Sequence, residues 1–349
     1  MSQSDPTNTN PSSESLIEES HHLRSRVGLI DLSNRDRLCL LGEDRHRFLN
    51  GQVTNNIRDL RPGNGCYTLC TNNKGIIQSD AQVYALEDEL LLDLEPGQGP
   101  DIQRRLESFI ISDDVEIVDV APHFGLLTVQ GPLAQQVVKS AEQLGLEVLP
   151  ASSHQITKHS TQDYGEIYVA SNPRIGTSGY DLFVGNESLE AVADLLKHRV
   201  EEAGGAVCHA NSLDPLRIEA GIPRFPMDME PSILAPELGI ESQTISYSKG
   251  CYIGQEVINR IKSVGKVNRR LVGLRYESEA PSAGTPLLHD GKRVGVCLSS
   301  AYSNLAKGMI GLALVKTTHA DPSTELASQA SDHSESQNAQ VSQLPFRLD

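Results

Sequence analysis

The alternation of apolar and polar positions divides this chain into a patterned centre and two polar ends. Short apolar runs bounded by Gly, Pro and Asn predict strands at residues 37–41, 65–71, 76–86, 89–94, 126–130 and 180–184. Apolar residues at helical spacing predict helices over residues 43–49, from Pro100, after Gly131, over residues 188–203 and from Ser212 to about Gly221. Mostly antiparallel strands mixed with helices in this way indicate an α+β fold.

The pattern changes after Arg270, where short apolar strands such as 271–276 and 294–298 alternate with Gly and Pro turns. This alternation predicts a small β-barrel or sandwich. Residues 1–20 and 320–349 are rich in polar residues without apolar periodicity, which predicts disordered tails. The sequence therefore predicts four segments, namely a tail at 1–21, an α+β domain at 22–268, a β-barrel at 269–318 and a second tail at 319–349.

Composition narrows the function classes. The chain has 349 residues, of which 38% are hydrophobic, and a formal net charge of −16. No apolar run approaches the ~20 residues of a membrane span, and the N-terminal residues do not resemble a secretory signal. Six cysteines without regular spacing do not suggest a disulfide framework, so we expect a reducing, cytoplasmic location. The negative charge argues against nonspecific binding of nucleic acid by the whole protein, but it leaves room for a local basic site.

One cysteine is distinguished by its neighbours, in the sequence KGCYIGQE at residues 249–256. Gly250 and Gly254 frame Cys251 and allow the backbone to turn and to approach a ligand closely. Apolar residues at helical spacing follow, so that Cys251 lies beside Lys249 at the start of a predicted helix. Both features favour the reactive thiolate. The alternative is that Cys251 is a small buried packing residue.

Two further side chains are candidates for chemistry. Asp80 lies on a predicted strand with apolar neighbours. It either faces a cavity, where it must be hydrogen-bonded or functional, or is a solvated acid at a strand end. Arg217 lies between two apolar residues of a predicted helix. Its guanidinium can bind a carboxylate or the edge of a heterocycle in a bidentate way, or form an ordinary ion pair with Glu219 or Asp214.

The remaining cysteines and a cluster of cations complete the candidates. Cys66 and Cys70 share one face of a strand, but no second Cys or His pair follows at zinc-site spacing, so we predict no metal site. We predict packing roles for all five other cysteines, which are Cys39, Cys66, Cys70, Cys208 and Cys297. Five cations concentrate in residues 260–270, and they could hold a polyanion such as RNA or form a solvated edge; they are Arg260, Lys262, Lys266, Arg269 and Arg270.

Together these motifs resemble the YgfZ branch of the glycine-cleavage T-protein superfamily, folate-binding proteins linked to iron–sulfur cluster maintenance. The most specific element is KGCYIGQE, followed by Arg260 and by GKVNRRL at residues 265–271. Further similarity lies in VGLIDLS at 27–33, QVTNN at 52–56 and LRIEAGIP at 216–223. The resemblance covers about residues 27–318.

The resemblance implies an aminomethyltransferase-like folate-binding domain of three lobes at 22–268, with tetrahydrofolate in a central channel, and a C-terminal β-barrel. It implies that Asp80 faces the reacting folate nitrogens, that Asp181 holds the pterin and that Arg217 lines the same pocket. We expect Lys249 and Tyr252 of the cysteine motif to contact the cofactor as well. Cys251 and Asp80 are the expected catalytic residues, with the Cys251 thiol at the rim of the cavity.

Two departures from true aminomethyltransferases favour the YgfZ branch. Cys251 stands where they normally have a non-cysteine residue, and GTSG at residues 176–179 replaces an acidic pattern. The first hypothesis is therefore a tetrahydrofolate-binding accessory protein for iron–sulfur cluster assembly or repair and tRNA modification, with iron–sulfur proteins as clients. Whether such a protein is a one-carbon transferase is left open by the sequence. The second hypothesis is an aminomethyltransferase of the glycine cleavage system, and the third is a noncatalytic RNA-binding module.

Overall fold

The computed structural model describes residues 12–146, 148–229, 232–328 and 336–346. The helices in this part of the chain are α1 (Ser13–Ser25), α2 (Arg45–Gln52), α3 (Gly99–Glu107), α4 (Ala134–Ser140), α5 (Leu189–Glu202), α6 (Leu213–Glu219), α7 (Glu241–Thr244) and α8 (Gln255–Val264). The strands are β1 (Gly28–Asp31), β2 (Asp36–Leu41), β3 (Gly65–Thr71), β4 (Ile77–Ala85), β5 (Leu90–Leu94), β6 (Glu116–Asp119), β7 (Phe124–Gln130), β8 (Ile156–Thr161), β9 (Gly165–Ser171), β10 (Gly179–Gly185), β11 (Ala206–Val207), β12 (Arg269–Tyr276), β13 (Pro286–His289), β14 (Lys292–Ser303), β15 (Gly308–Lys316), β16 (Glu325–Ser328) and β17 (Asn338–Ser342).

Two open sheets form the larger part of the molecule. One has six strands in the order β11-β1-β7-β10-β9-β8, and the other has five in the order β3-β4-β5-β2-β6. β1 and β11 pair in parallel, and the other pairs between named strands of the two sheets are antiparallel. Helices α4 and α5 pack on one face of the six-stranded sheet, and α2 and α3 pack on one face of the five-stranded sheet.

The other faces of the two sheets meet in a shared apolar core. This core contains Cys39, Tyr84 and Leu91 from the five-stranded sheet and Leu126 and Phe183 from the six-stranded sheet. The rings of Tyr84 and Phe183 meet edge to face, with centroids 6.1 Å apart. Because side chains alternate between the faces of a strand, residues of β4 and β5 that do not enter the helix-packed core point toward the second sheet.

The C-terminal part is a closed barrel with the strand order β12-β15-β14-β13-β16-β17. Val272, Leu274 and Leu326 are among the residues of its apolar core. The outer surface of the barrel packs against α6, and both contribute to one core in which Ile218 and Leu312 are fully buried. The predicted α+β class and the C-terminal barrel are thus confirmed.

The predicted disordered tails differ from the structure where the chain is described. Residues 13–25 form α1, whose Leu23 is fully buried and whose Glu19 accepts a 2.7 Å hydrogen bond from the backbone N–H of His209. At the other end, β16 and β17 are barrel strands. Both segments are polar in composition and gain order from a few tertiary contacts, so local periodicity did not reveal them. Residues 1–11, 329–335 and 347–349 of the predicted tails lie outside the described residues.

Two features are absent from the residues that the structure describes. No helix there has the length and apolarity needed to cross a membrane. The described side chains also form no cluster of three or more His, Cys, Asp or Glu residues that could hold a metal ion.

Candidate ligand-binding site

A cavity of about 710 Å³ opens between the two sheets and α6. Its wall includes Asp80 and Gln82 of β4, Asp93 of β5, and Arg217 of α6. The segment that follows β9 adds Arg174, and Pro345 comes from the chain after the last barrel strand. A cavity of this size falls in the range of sites for small molecules and cofactors, and its polar side chains converge from separate segments.

Asp80 faces this cavity and is only 7% exposed, so it is the inward carboxylate rather than the solvated acid. Tyr67 of β3 lies on the same sheet face, and its hydroxyl donates a 2.6 Å hydrogen bond to Oδ2 of Asp80. Burial raises the pKa of Asp80 to about 6, and the nearby Glu95 carboxylate adds to this effect while the Tyr67 hydroxyl opposes it. A carboxyl group with such a pKa can accept or donate a proton near neutral pH, as general acid–base chemistry requires.

A buried ion network joins the two sheets behind the cavity wall. Asp93 accepts hydrogen bonds from Arg35 at 2.7 Å and from Arg174 at 2.9 Å. Burial by itself would raise the pKa of Asp93, but the two guanidinium groups outweigh it and hold the pKa below its ordinary value. Asp93 therefore stays ionised and fixes both arginines, which keeps this part of the wall rigid.

Asp181 is placed differently from the sequence prediction. It is fully buried in β10 and is not part of the cavity wall. Arg174 donates to both of its oxygens, at 3.0 and 2.7 Å, and Asn172 donates to Oδ2 at 2.8 Å. Because these donors already occupy the carboxylate, Asp181 supports Arg174 instead of contacting a ligand itself.

Arg217 lines the cavity from α6 and also forms structural ion pairs. Its Nε donates to Asp214 at 2.6 Å and its Nη1 donates to Asp228 at 2.7 Å. Burial disfavours the charged form, but the Asp228 and Asp214 carboxylates outweigh burial and hold the pKa of Arg217 above its ordinary value. Of the ion pairs that the sequence left open, Arg217 forms the one with Asp214, and its second partner is Asp228 and not Glu219.

Several polar atoms of the cavity wall have no hydrogen-bond partner among the described residues. They include Nη2 of Arg217, Oε1 of Gln82 and Nδ1 of His154. Burial lowers the pKa of His154, which favours its neutral ring. Buried polar groups are normally paired. An unpaired set of donors and acceptors around one cavity therefore fits a ligand with a polar heterocyclic edge.

The cysteine motif lies elsewhere, because Cys251, Lys249 and Tyr252 do not line the cavity. Cys251 is exposed, so it is not a buried packing residue. The Nζ of Lys249 donates to the backbone carbonyls of Asn50, Val53 and Asn55 at 2.5 to 2.8 Å. The prediction of a thiol at the cavity rim, beside cofactor contacts from Lys249 and Tyr252, does not agree with this placement.

The motif is instead fastened to the turn between β3 and β4. Gly254 has a φ of +90°, and a Cβ at this position would lie 2.6 Å from Oγ1 of Thr71 and 2.7 Å from the carbonyl of Asn72. Thr71 donates a 2.7 Å hydrogen bond to the carbonyl of Ile253. Tyr252 is 7% exposed and packs in the core shared by α6 and the barrel. Gly254 therefore permits a close approach of two backbone segments, where the sequence suggested the approach of a ligand.

The cations of residues 260–270 divide into two with structural hydrogen bonds and three exposed ones, of which Lys262 has its Nζ 4.8 Å from the centroid of the Tyr247 ring. Arg269 binds both oxygens of Glu237, at 2.9 and 2.8 Å, and Arg270 donates to the carbonyl of Ala320 at 2.7 Å. Arg260, Lys262 and Lys266 are exposed on or just after α8. Two of the five cations thus serve the barrel junction, and three face solvent.

Sequence reasoning missed several residues of the wall, namely Tyr67, Gln82, His154 and Arg174. The sequence held one signal for Tyr67 and Gln82. Gln82 lies two positions after Asp80 on the same predicted strand and therefore shares its face, and Tyr67 lies directly opposite Gln82 on the neighbouring strand. Arg174 and His154 lie in loops, where no periodicity indicates the direction of a side chain.

The chain is similar to known protein families and to curated proteins over most of its length. Residues 4–248 match the family model described as the GCVT N-terminal domain, and residues 269–347 match that of the glycine cleavage T-protein C-terminal barrel domain. The aminomethyltransferase of Geobacillus sp. (strain WCH70) is 26% identical over 314 residues, which cover 89% of this chain and 85% of that protein. The aminomethyltransferase of Geobacillus thermodenitrificans (strain NG80-2) is 29% identical over 310 residues, covering 86% and 82% respectively.

A solved structure has the same fold. The glycine cleavage system aminomethyltransferase T from Bartonella henselae superposes with a TM-score of 0.83 at 21% identity, covering 95% of this chain and 89% of that one. The fold, the barrel and the two family models agree over most of the chain. This protein therefore belongs to the family of the GCVT N-terminal domain, with the glycine cleavage T-protein C-terminal barrel domain behind it.

Proposed function

We propose that this protein binds tetrahydrofolate in the cavity between the sheets and acts as a YgfZ-type accessory protein for iron–sulfur cluster assembly or repair and tRNA modification. The observation that carries the proposal is the cavity wall, where buried Asp80 is accompanied by unpaired polar atoms of Arg217, Gln82 and His154. A pterin presents both donors and acceptors at its edge, so it can pair with such a set. Membership of the GCVT family supports the same ligand.

Particular residues would hold the folate. Asp80 and Tyr67 supply a hydrogen-bonded carboxyl group whose protonation changes near pH 6. Arg217 supplies a free guanidinium N–H, and Gln82 supplies a carbonyl oxygen. When bound, tetrahydrofolate would supply nitrogen atoms that can carry a one-carbon group. With a pKa of about 6, Asp80 can move a proton near neutral pH.

The YgfZ assignment is supported by the exposed Cys251 within KGCYIGQE. Because Cys251 does not line the cavity, its thiol and the folate site are separate surfaces. We therefore place the thiol in contact with a client protein and not with the bound folate. Exposed Arg260, Lys262 and Lys266 lie on the nearby helix or just after it and are candidates for contact with RNA or another polyanion.

Calorimetric titration of tetrahydrofolate tests the ligand. Asp80→Ala and Arg217→Ala should each weaken binding by about tenfold or more, because each removes a buried charged contact. Asp163→Asn, at an exposed turn, is the control and should bind like the wild type. If the wild type binds no folate, or if both cavity variants bind like the wild type, the ligand assignment is wrong.

Complementation tests the thiol. Cys251→Ala and Cys251→Ser should bind tetrahydrofolate normally but fail to support iron–sulfur enzymes in cells that lack the protein. Full support by either variant would show that the thiol has no such role.

An aminomethyltransferase of glycine cleavage is the second candidate, favoured by relatives of that name that cover 86–89% of this chain. Its assay is formation of methylenetetrahydrofolate from an aminomethylated lipoyl carrier. Turnover that requires Asp80 and is unaffected by Cys251→Ala would support this candidate over the YgfZ role.

A further inference from the structure

Arg217 is held by two carboxylates that approach it from different segments. Asp214, one turn earlier on α6, accepts from Nε at 2.6 Å, and Asp228 accepts from Nη1 at 2.7 Å. The carbonyl of Ile222 also accepts from Nη1, at 3.1 Å. Nη2 is the guanidinium nitrogen that has no partner among the described residues, and Arg217 lines the cavity while being only 3% exposed. The direction of Nη2 is therefore fixed by what holds the other two nitrogens.

Asp228 is itself held by the barrel. It is fully buried, and its Oδ1 accepts a 2.9 Å hydrogen bond from the backbone N–H of Ser299 in β14. Ser299 lies where the register between β14 and β15 shifts, between Cys297 and Ser300. Irregularities of this kind free backbone groups from the strand ladder and redirect them. The second oxygen of Asp228 serves Arg217 and the backbone N–H of Arg224.

A second connection joins the barrel to the same helix. After β17 the chain returns to α6, where the backbone N–H of Phe346 donates to the carbonyl of Glu219 at 2.8 Å. Pro345 lines the cavity directly, and Leu344 packs so closely on Gly221 that a Cβ there would lie 3.0 Å from it. The helix that carries Arg217 is thus connected to the barrel in two ways. Asp228 joins Arg217 to β14, and the segment after β17 binds the end of the helix.

We propose that Asp228 is a positioning residue for ligand binding, which transmits the placement of barrel strand β14 to Arg217 and fixes the orientation of its guanidinium in the cavity wall. The barrel is then part of the ligand site, although Pro345 is the one described residue of the C-terminal part that lines the cavity. The inference rests on the proposed function for the identity of the ligand.

A double-mutant cycle with tetrahydrofolate tests this inference on the full chain. The four proteins are the wild type, Asp228→Asn, Arg217→Lys and the double variant, with dissociation constants from calorimetry. Asp228→Asn should weaken binding about tenfold in the wild-type background. In the Arg217→Lys background the same change should have little further effect, since the group that Asp228 orients is already gone. A merely structural role would instead give the same fold loss in both backgrounds.

Glu237→Gln is the matched control. Glu237 is 3% exposed and binds Arg269 of β12 through both oxygens, so it is also a buried carboxylate that ties an arginine to the barrel junction. It does not line the cavity, and its substitution should leave the dissociation constant unchanged. Urea unfolding of each variant verifies that the proteins are folded under the conditions of the titration. If Asp228→Asn does not fold, Asp228→Glu keeps the charge, displaces the carboxylate and enters the same cycle.

The outcomes separate the two proposals. The positioning role is supported if Asp228→Asn weakens tetrahydrofolate binding in the wild-type background but has little effect in the Arg217→Lys background, while Glu237→Gln binds normally. Equal losses in both backgrounds, or no loss for Asp228→Asn, overturn the positioning role and leave the folate proposal intact. Absence of tetrahydrofolate binding by the wild type overturns both.

Discussion

Substitution of Asp80 by asparagine should change how the stability of this protein depends on pH. Burial, together with Glu95, raises the pKa of Asp80 from an ordinary value of 3.8 to about 6 in the folded protein. Between these two values the folded state binds more protons than the unfolded state, so the free energy of unfolding falls as the pH rises. Asp80 therefore contributes stability that is fully present below about pH 4, is lost toward pH 6 and is absent above it.

The magnitude follows from the same interval. One pKa unit corresponds to about 1.4 kcal/mol, so the whole interval is worth about 3 kcal/mol, of which roughly 2 kcal/mol falls between pH 4 and pH 7. Asparagine has no proton that it releases between pH 4 and pH 7, and its carbonyl oxygen can still accept the hydrogen bond from Tyr67. Asp80→Asn should thus become more stable relative to the wild type by about 2 kcal/mol over this range.

The assay is urea unfolding of both proteins at several pH values from 4 to 7, without ligand. Asp163→Asn, which changes an exposed carboxylate in a turn outside the cavity wall, is the matched control for the change from carboxylate to amide. Parallel profiles for Asp80→Asn and the wild type would refute the reasoning, because they would mean that Asp80 has the same proton affinity in the folded and unfolded chains.

Three further predictions concern the cysteine motif. Gly254→Ala should lower the free energy of unfolding by about 1–3 kcal/mol in urea unfolding, because φ is +90° and atoms of Thr71 and Asn72 fill the space that the Cβ would take. Gly250→Ala is the control and should be nearly neutral, because no atom lies within 4 Å of the added Cβ. Lys249→Met should cost about 1–3 kcal/mol, because three carbonyls lose their donor. Since burial lowers the pKa of Lys249 to about 7, the wild type should also gain stability relative to this variant as the pH rises from 7 toward 10.5, and a falling difference would contradict this. Iodoacetamide should label Cys251 first in the native protein, because Cys251 is exposed and burial raises the pKa of the other five thiols. Mass spectrometry follows the labelling, which should reach all six thiols in urea. Labelling of Cys66 as fast as that of Cys251 in the native protein would contradict this prediction.

Particular residues show how far sequence reasoning reached into the site. Asp80 and Arg217 were identified and do meet in one cavity. Asp181 was also identified, but both of its carboxylate oxygens accept hydrogen bonds from Arg174. Arg174 lies in a loop, and the sequence does not indicate which strand a loop arginine will contact. Cys251 is exposed in the structure, and its place relative to the cavity depends on how the motif is fastened to the turn after β3.

The sequence by itself determined about half of the strands, most of the helices, the C-terminal barrel and the residues most characteristic of the family. These features depend on local periodicity and on turn residues, which act over a few positions of the chain. The tertiary structure alone decided that polar segments at both ends fold onto the core, that Asp228 links the barrel to Arg217, and that the thiol and the cavity are apart. Each of these depends on contacts between residues distant in sequence, whose burial and pairing are fixed only when the sheets, α6 and the barrel have packed together.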